Sequence, residues 1–159
     1  MPDMLVKLYD LPDNGALLER LRGEGIAVKR AMTGDKQAIV DFVGRHFTVS
    51  WRNECETAFS HLPVHCYIAV KQGAVIGFAC HDVVVKNFFG PTGVLEDYRG
   101  LGIGKALLLE CLSAMRQNGY GYAVIGWVVD AVPFYEKSVG AIAVPDSFPG
   151  VFRDMIGMD

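Results

Sequence analysis

The sequence predicts a mixed α/β domain, and three observations support this. The chain of 159 residues has the usual length of one domain, and 51% of its residues are apolar, which is enough for a buried core. Strand-like and helix-like periodicities alternate along the chain. The pattern over residues 66–85 predicts an antiparallel hairpin, whereas residues 88–128 predict a strand, a helix and a second strand. We therefore expect one domain, residues 1–159, with a mixed sheet.

Two strands and a helix are predicted before residue 33. Residues 5–9 have strand character, and the turn after them leads into a helix over residues 16–22, which ends at the next glycine. Residues 26–32 form the second strand. We treat residues 1–25 as an N-terminal extension of the domain.

Two further helices are predicted next. Thr33-Gly34-Asp35 resembles a helix start, and the apolar residues after it form one buried face: Ile39, Val40, Phe42, Val43 and Phe47. Ser50 can cap the second helix, residues 51–60. Its inward residues are Trp51, Cys55, Ala58 and Phe59.

A hairpin and a distorted strand follow. Residues 67–70 and 75–85 are rich in β-branched and aromatic residues and flank the turn Lys71-Gln72-Gly73. Residues 88–95 give a further strand, which Pro91 should distort because proline has no N–H to donate.

The last third of the chain predicts a helix over residues 105–117 and a strand over residues 122–128. That strand is apolar almost throughout, so both of its faces should be covered. Asp130 can cap a short helix over residues 131–137, and residues 141–144 form a final strand.

Charge and composition exclude two classes of partner. The net charge is −3, and the 15 basic and 18 acidic residues are interspersed, so no stripe of lysine and arginine could neutralise a nucleic-acid backbone. The N-terminus lacks the basic and apolar regions of a secretory signal, and no apolar stretch reaches the ~20 residues that span a bilayer. We therefore expect a cytoplasmic protein that binds neither nucleic acid nor membrane.

The cysteines and histidines do not predict a metal site. The cysteines lie too far apart for a CxxC pair, and a cytosolic chain keeps them reduced: Cys55, Cys66, Cys80 and Cys111. His61 and His65 have the spacing of two ligands on one helical face, but Pro63 between them argues against a helix. We expect the cysteines to be small buried residues, the histidines to have structural or surface roles, and no metal to be bound.

A glycine-rich loop, Arg99-Gly100-Leu101-Gly102-Ile103-Gly104-Lys105, joins a predicted strand to a predicted helix. Its glycines let backbone approach a ligand closely, and the free N–H groups of a helix start attract an anion. A P-loop is excluded because Arg99 and Ala106 stand where it needs a glycine and a hydroxyl residue. A dinucleotide fingerprint is excluded because its last glycine falls on Lys105 or Leu107.

The spacing that fits is R-x-x-G-x-G, carried by Arg99, Gly102 and Gly104. It resembles the acetyl-CoA pyrophosphate loop of the GNAT family of N-acetyltransferases. The flanks are similar to that family as well: Gly93-Val94-Leu95-Glu96-Asp97-Tyr98 before the loop, and residues 120–127 and Phe134-Tyr135-Glu136-Lys137 after it. The resemblance covers about residues 66–141, which it identifies as the acetyl-CoA-binding core.

The resemblance implies an α+β fold, in which a GNAT-like, mostly antiparallel twisted sheet has helices on both faces. Here it carries an extra N-terminal strand and helix, which we expect to cover a sheet edge or a partner subunit. Two splayed strands would hold the pantetheine arm between residues 92–94 and 125–127, with an amide near Val94 polarising the thioester carbonyl. The residues assigned to acetyl-CoA are Thr92, Gly93, Val94, Arg99, Gly100, Leu101, Gly102, Ile103, Gly104 and Lys105.

Catalytic and acceptor residues are carried over from the family too. Tyr135 occupies the position of the acid that protonates the leaving sulfur, and its phenol is protonated at about pH 7. For the base we name Glu96, and three other residues remain open: Asp97, Glu54 and His81. The expected acceptor contacts are Trp51, Glu54 and Trp127.

We therefore predict an N-acetyltransferase that transfers the acetyl group of acetyl-CoA by direct attack of an amine of a small molecule or peptide. The lack of a clear base favours one alternative, a non-catalytic CoA-binding regulatory module. Phe148 and Phe152, which look exposed, favour another, a structural or dimerisation domain. A homodimer is an expectation from the family alone.

Overall fold

The structure is a computed structural model that describes residues 1–157, and it contains a seven-stranded sheet within them. The strands are β1 (Met4–Lys7), β2 (Ile26–Arg30), β3 (Cys66–Lys71), β4 (Ala74–His81), β5 (Phe88–Val94), β6 (Tyr122–Ile125) and β7 (Ile142–Ala143). Their order across the sheet is β2-β3-β4-β5-β6-β1-β7. Neighbouring strands are antiparallel except β5 and β6, which are parallel. The predicted mixed, mostly antiparallel sheet is confirmed.

Helices cover both faces of this sheet, as expected. They are α1 (Gly15–Gly23), α2 (Lys36–His46), α3 (Val49–Thr57), α4 (Ile103–Gln117) and α5 (Val132–Val139). Successive residues of β3 point to opposite faces, so Tyr67 joins the core packed around α4, whereas Ile68 joins a smaller core under α2 and α3. No helix in the described part of the chain is both long and apolar enough to cross a membrane.

The N-terminal strand β1 lies inside the sheet. All four of its residues pair with β6, and its other side pairs with the short β7. Met4 and Val6 are fully buried. Helix α1 in turn contacts α4, where the side-chain amide of Asn14 donates to the carbonyl of Ala106 at 3.1 Å and to Glu110 at 3.0 Å. Residues 1–25 therefore belong to the same packed unit as the rest of the sheet.

Two predictions about helix starts are wrong. Thr48, not Ser50, caps α3, because its hydroxyl accepts the N–H of Trp51 at 3.1 Å. The Ser50 hydroxyl instead donates to Glu54 at 3.4 Å. Asp130 does not cap α5, which begins after Ala131 without a side-chain cap from any residue of the described range.

Strands β4 and β6 end well before their predicted last residues. β4 stops at His81, because Asp82 has a left-handed φ of 54° and its carboxylate accepts the N–H of Asn87 at 2.6 Å, which closes a turn. β6 stops at Ile125, and Tyr122 at its start is exposed, so the expected cover on both faces is incomplete. The apolar run after Ile125 forms a wall of the cleft described next.

Candidate active site

The candidate site is a cleft that opens where β5 and β6 separate. The two strands pair only at Phe88 with Val124 and at Phe89 with Ile125. Pro91, two residues further along β5, has no N–H with which to continue the pairing. The cleft has a volume of about 1240 Å³. It exceeds the ~300–1,000 Å³ of common small-molecule pockets and so suits a long ligand.

Most of the residues predicted for the site come together here. Those that line the cleft are Trp51, Glu54, Thr92, Gly93, Val94, Arg99, Gly100, Gly102, Ile103, Gly104, Lys105, Trp127 and Tyr135. Leu101 lies beside the cleft without lining it. Glu96 is exposed, lies in the 3-10 turn Glu96–Tyr98 and does not line the cleft either.

One end of the cleft is the N-terminus of α4. Gly102 is its N-cap with a left-handed φ of 90°, and no described side chain caps the helix. The first N–H to bond back within the helix is that of Ala106, which donates to the Gly102 carbonyl at 3.0 Å. The N–H groups of the preceding turn thus keep the free, partly positive ends that bind phosphate oxygens.

Two cations flank this helix start. Arg99 is exposed and Lys105 is half-buried, and neither forms a salt bridge with a described residue. The Arg99 guanidinium donates to the Val94 carbonyl at 3.3 Å, which holds the side chain near the mouth of the cleft. The N-terminus of α4 and these two side chains together make a positive site that fits a pyrophosphate.

The backbone of β5 presents an amide to the cleft. The N–H of Leu95 donates to the carbonyl of Ile76 in β4 at 2.9 Å and so points toward β4. Successive N–H groups of an extended strand point to opposite sides, so that of Val94 faces the gap between β5 and β6. This is the amide that the sequence predicts for polarising a thioester carbonyl.

An aromatic cluster backs this part of β5. A Cβ on Gly93 would lie 2.5 Å from the ring of Phe47, so only glycine lets that ring pack against the strand. Phe47 in turn packs on Trp51, with ring centroids 5.6 Å apart. The glycine before Val94 therefore positions α3 beside the cleft as well as leaving room along the backbone.

Tyr135 reaches the cleft from α5 and is only 7% exposed. Its ring packs edge-on against Phe89, with centroids 6.4 Å apart. Burial raises the pKa of the Tyr135 phenol to about 12. The phenol is therefore protonated and neutral at physiological pH.

Glu54 is the carboxyl group that α3 places in the cleft, and it is half-buried. Burial raises its pKa, and the hydrogen bond from the Ser50 hydroxyl lowers it by a smaller amount. A carboxylate with a raised pKa accepts protons more readily than an exposed one. Of the bases left open by the sequence, Asp97 and His81 do not line the cleft, and Glu54 does.

A sequence model of the Acetyltransferase (GNAT) family matches residues 36–141, two thirds of the chain. The chain belongs to the GNAT family. No curated protein sequence is detectably similar to it.

Solved structures share the GNAT fold at low sequence identity. A GCN5-related glucosamine N-acetyltransferase region in a fungal multi-domain GH3 β-N-acetylglucosaminidase superimposes with a TM-score of 0.71 at 17% identity, over 90% of this chain and 19% of that one. A GCN5-related N-acetyltransferase from Sphaerobacter thermophilus gives 0.64 at 20% identity, over 90% and 48%. A GNAT acetyltransferase from Brucella melitensis in complex with acetyl-CoA gives 0.51 at 19% identity, over 75% and 86%. The chain spans about a fifth and about half of the first two.

The GNAT loop of this chain is braced by α1, a contact that no pattern in the sequence indicates. The Arg20 guanidinium donates to the carbonyl of Leu101 at 2.6 Å. A Cβ on Gly102 would lie 2.9 Å from a methyl group of Leu17 and 3.0 Å from the Arg20 guanidinium. Arg20 looks like a solvated surface residue in sequence, yet it contacts the loop from α1.

The wall opposite β5 in this GNAT domain is held by the N-terminus and the C-terminal segment. The N–H of Trp127 donates to the Asp3 carboxylate at 3.1 Å. The Trp127 ring packs on Phe152 at 5.2 Å and on Phe148 at 6.0 Å between centroids. Phe148 is nevertheless 48% exposed, as the sequence suggests, whereas Phe152 is half-buried and lines the cleft together with Met155.

Proposed function

We propose that this GNAT protein transfers the acetyl group of acetyl-CoA to a primary amine by direct attack. The observation that carries the proposal is the uncapped N-terminus of α4, flanked by Arg99 and Lys105, at one end of the gap between β5 and β6. A CoA thioester has the matching layout, because a doubly charged pyrophosphate is joined to a long, uncharged arm. The positive site would hold the pyrophosphate, and the gap would hold the arm.

The reaction would use three groups that line the cleft. The amine nitrogen attacks the thioester carbonyl carbon, and the N–H of Val94 stabilises the negative charge that develops on its oxygen. As the C–N bond forms and the C–S bond breaks, Glu54 accepts the proton that the amine loses, directly or through water. Tyr135 gives its proton to the departing thiolate and regains one from solvent, and Glu54 releases the proton that it accepted to solvent. The products are an N-acetylated amine and free CoA.

The acceptor side favours an amine attached to an apolar or aromatic body. Trp51, Phe152 and Met155 contribute apolar surface around Glu54 in this part of the cleft. A half-buried carboxylate can bind an ammonium group, whereas the apolar walls offer few groups that would pair with the hydroxyls of a sugar. We therefore expect small aromatic or aliphatic amines to be better acceptors than amino sugars.

Structural likeness supports the choice of donor at the level of the fold. The Brucella melitensis GNAT acetyltransferase that shares the fold was solved in complex with acetyl-CoA. In this chain the loop spacing, the splayed strands and the free N–H groups fit the same donor.

Calorimetry with acetyl-CoA tests donor binding through a matched pair of variants at Gly100. This residue has a φ of 81° and open space around its Cα, and both Asn and Asp tolerate that backbone region. Gly100→Asp places a negative charge beside the pyrophosphate site, whereas Gly100→Asn has the same shape without the charge. We expect binding of acetyl-CoA by wild type and by Gly100→Asn, and affinity at least about tenfold weaker in Gly100→Asp. No heat with wild-type protein, or equal affinities in the two variants, would refute the donor assignment.

Release of free CoA in the presence of a panel of amines tests catalysis separately. Acetyl-CoA binding without turnover of any amine would favour the non-catalytic module over the enzyme. Turnover that is lost in Tyr135→Phe while acetyl-CoA still binds would support the proposed acid.

A further inference from the structure

A second cluster of titratable side chains lies outside the cleft, where β3 begins and β4 ends. The main-chain N–H of His81 donates to the carbonyl of His65 at 3.1 Å, one step beyond the paired Cys66 and Cys80. The imidazoles of His65 and His81 stack with centroids 4.4 Å apart. Asp82 follows at the turn, and its side chain is only 8% exposed. Strand register therefore brings together residues that are far apart in the sequence.

Three ring nitrogens of this cluster have no hydrogen-bond partner among residues 1–157. His81 is fully buried, and neither of its ring nitrogens has a hydrogen-bond partner within residues 1–157. The Nδ1 atom of His65 is buried and unpaired in the same part of the chain. Buried polar atoms are nearly always paired, so three such atoms at one place call for a ligand that satisfies them.

The spacing of these atoms fits a metal ion. One ligand atom from each of His65, His81 and Asp82 lies within 4.8 Å of the others, and Nδ1 of His81 is 3.7 Å from the Asp82 carboxylate. Zinc bonds to nitrogen and oxygen are about 2.0–2.2 Å long, so tetrahedral ligand atoms lie about 3.3–3.5 Å apart. The two rings now stack with an interplanar angle of 22°, and because an imidazole binds a metal in its ring plane, at least one ring would have to turn out of the stack to share the ion.

We propose that His65, His81 and Asp82 bind a divalent transition-metal ion such as Zn²⁺, with a fourth position open to water. Neutral imidazole and carboxylate are the ligand types that such ions take, and three protein ligands with one open position form a common zinc set. Binding would fasten the segment before β3 to the turn after β4.

Hydrogen bonding and burial around the three side chains favour metal binding. One oxygen of Asp82 accepts the N–H of Asn87 at 2.6 Å, which leaves the other oxygen toward His81. Burial lowers the pKa of His65 and, to about 4, that of His81, so both imidazoles are in the neutral form that binds metal. Arg30 is a nearby cation that opposes a bound ion, and the Asp82 carboxylate offsets it. His65 is only half-buried, which provides an entry path.

Titration of the chelator-treated, full-length protein with Zn²⁺ by calorimetry tests the proposal, with Co²⁺ absorption as a probe of coordination. We expect one Zn²⁺ per chain at micromolar affinity or tighter. Affinity should fall at least about tenfold in both His65→Ala and Asp82→Asn. The latter variant retains an oxygen for the Asn87 N–H and so should fold. His46→Ala, which changes an exposed histidine on α2, is the matched control and should bind like wild type.

Three results would overturn this assignment. One is the absence of Zn²⁺ binding at micromolar concentrations. Another is affinity that is unchanged in both His65→Ala and Asp82→Asn. The third is binding that survives in those variants but disappears in Cys55→Ser, because the thiols of Cys55, Cys66 and Cys80 also lie within 4.8 Å of one another in the small core.

Discussion

The three glycines of the loop occupy different environments, and alanine at each should have a different effect on stability. Gly100 has a φ of 81° with open space around it, whereas Gly102 has a φ of 90° and is crowded by Leu17 and Arg20. Gly104 lies in the first turn of α4 with no positive φ, and its nearest neighbours would be 3.9 Å from a new Cβ. The effects of backbone strain and of side-chain crowding on the free energy of unfolding can therefore be measured separately.

The structure sets the expected magnitudes. A left-handed conformation costs a non-glycine residue about 1–2 kcal/mol. Inserting a methyl group into a packed contact costs about 1–3 kcal/mol more. Gly102→Ala carries both terms, the second at its lower end because Leu17 and Arg20 meet the new Cβ with the ends of flexible side chains, and it should lower the free energy of unfolding by about 2–3 kcal/mol, whereas Gly100→Ala carries only the first. Gly104→Ala should raise it by about 0.5–1 kcal/mol, because alanine is the better helix former.

Urea denaturation measures all three variants, with the midpoint as the readout and the slope expected to stay constant. The double variant Leu17→Ala, Gly102→Ala should lose less stability than the two single losses added together, because removing the leucine makes room for the new methyl group. Equal losses in Gly100→Ala and Gly102→Ala would refute crowding of the loop by α1. A loss in Gly104→Ala would refute the start assigned to α4.

Three further predictions concern the proposed chemistry and its supports. Tyr135→Phe should lower kcat by roughly 10²–10⁴-fold in steady-state kinetics. In wild type, ionisation of this phenol should not lower kcat up to about pH 10, because its pKa is about 12. Because the pKa of Glu54 is raised in the folded state, the free energy of unfolding falls as pH rises from the unfolded-state pKa through the folded-state pKa. Glu54→Gln should therefore be more stable than wild type in urea near pH ~8 but not near pH ~4. A stability difference that is independent of pH would contradict this. Arg20→Ala removes the hydrogen bond to Leu101 and should weaken acetyl-CoA binding about fivefold by calorimetry, whereas Arg22→Ala, an exposed change on the same helix, should not.

The residues that we propose for donor binding could be grouped from the sequence because they lie in one contiguous stretch of backbone. Arg99, Gly102 and Gly104 fall within six residues, and their spacing alone excludes the other phosphate loops. The family, the mixed sheet and the helices on both faces are confirmed by the family match and the structure. The same local reasoning placed α4 within two residues of its observed start.

The residues that we propose for the acceptor side could not be grouped in the same way, because their grouping depends on tertiary contacts. The sequence alone does not show which of Glu96 and Glu54 lies in the cleft. In the fold, Glu96 is exposed, whereas Glu54 is half-buried and lines the cleft. The pKa of Glu54 is raised by burial, which local spacing does not reveal. Phe152 and Met155 line the cleft from a segment without regular strand or long helix, where no periodicity marks them.

The opening between β5 and β6 also needs support from far outside the loop motif. Past Ile125 the chain has no β5 partner, and its N–H groups bond instead to the N-terminus: Trp127 to the Asp3 carboxylate at 3.1 Å and Val128 to the Pro2 carbonyl at 3.0 Å. Arg20 fixes Leu101 on the other side of the gap. A strand that leaves its neighbour to form a cleft exposes backbone groups that must find other partners. Here residues 1–25 supply those partners, although the family match begins only at residue 36, so the cleft depends on residues outside the matched region.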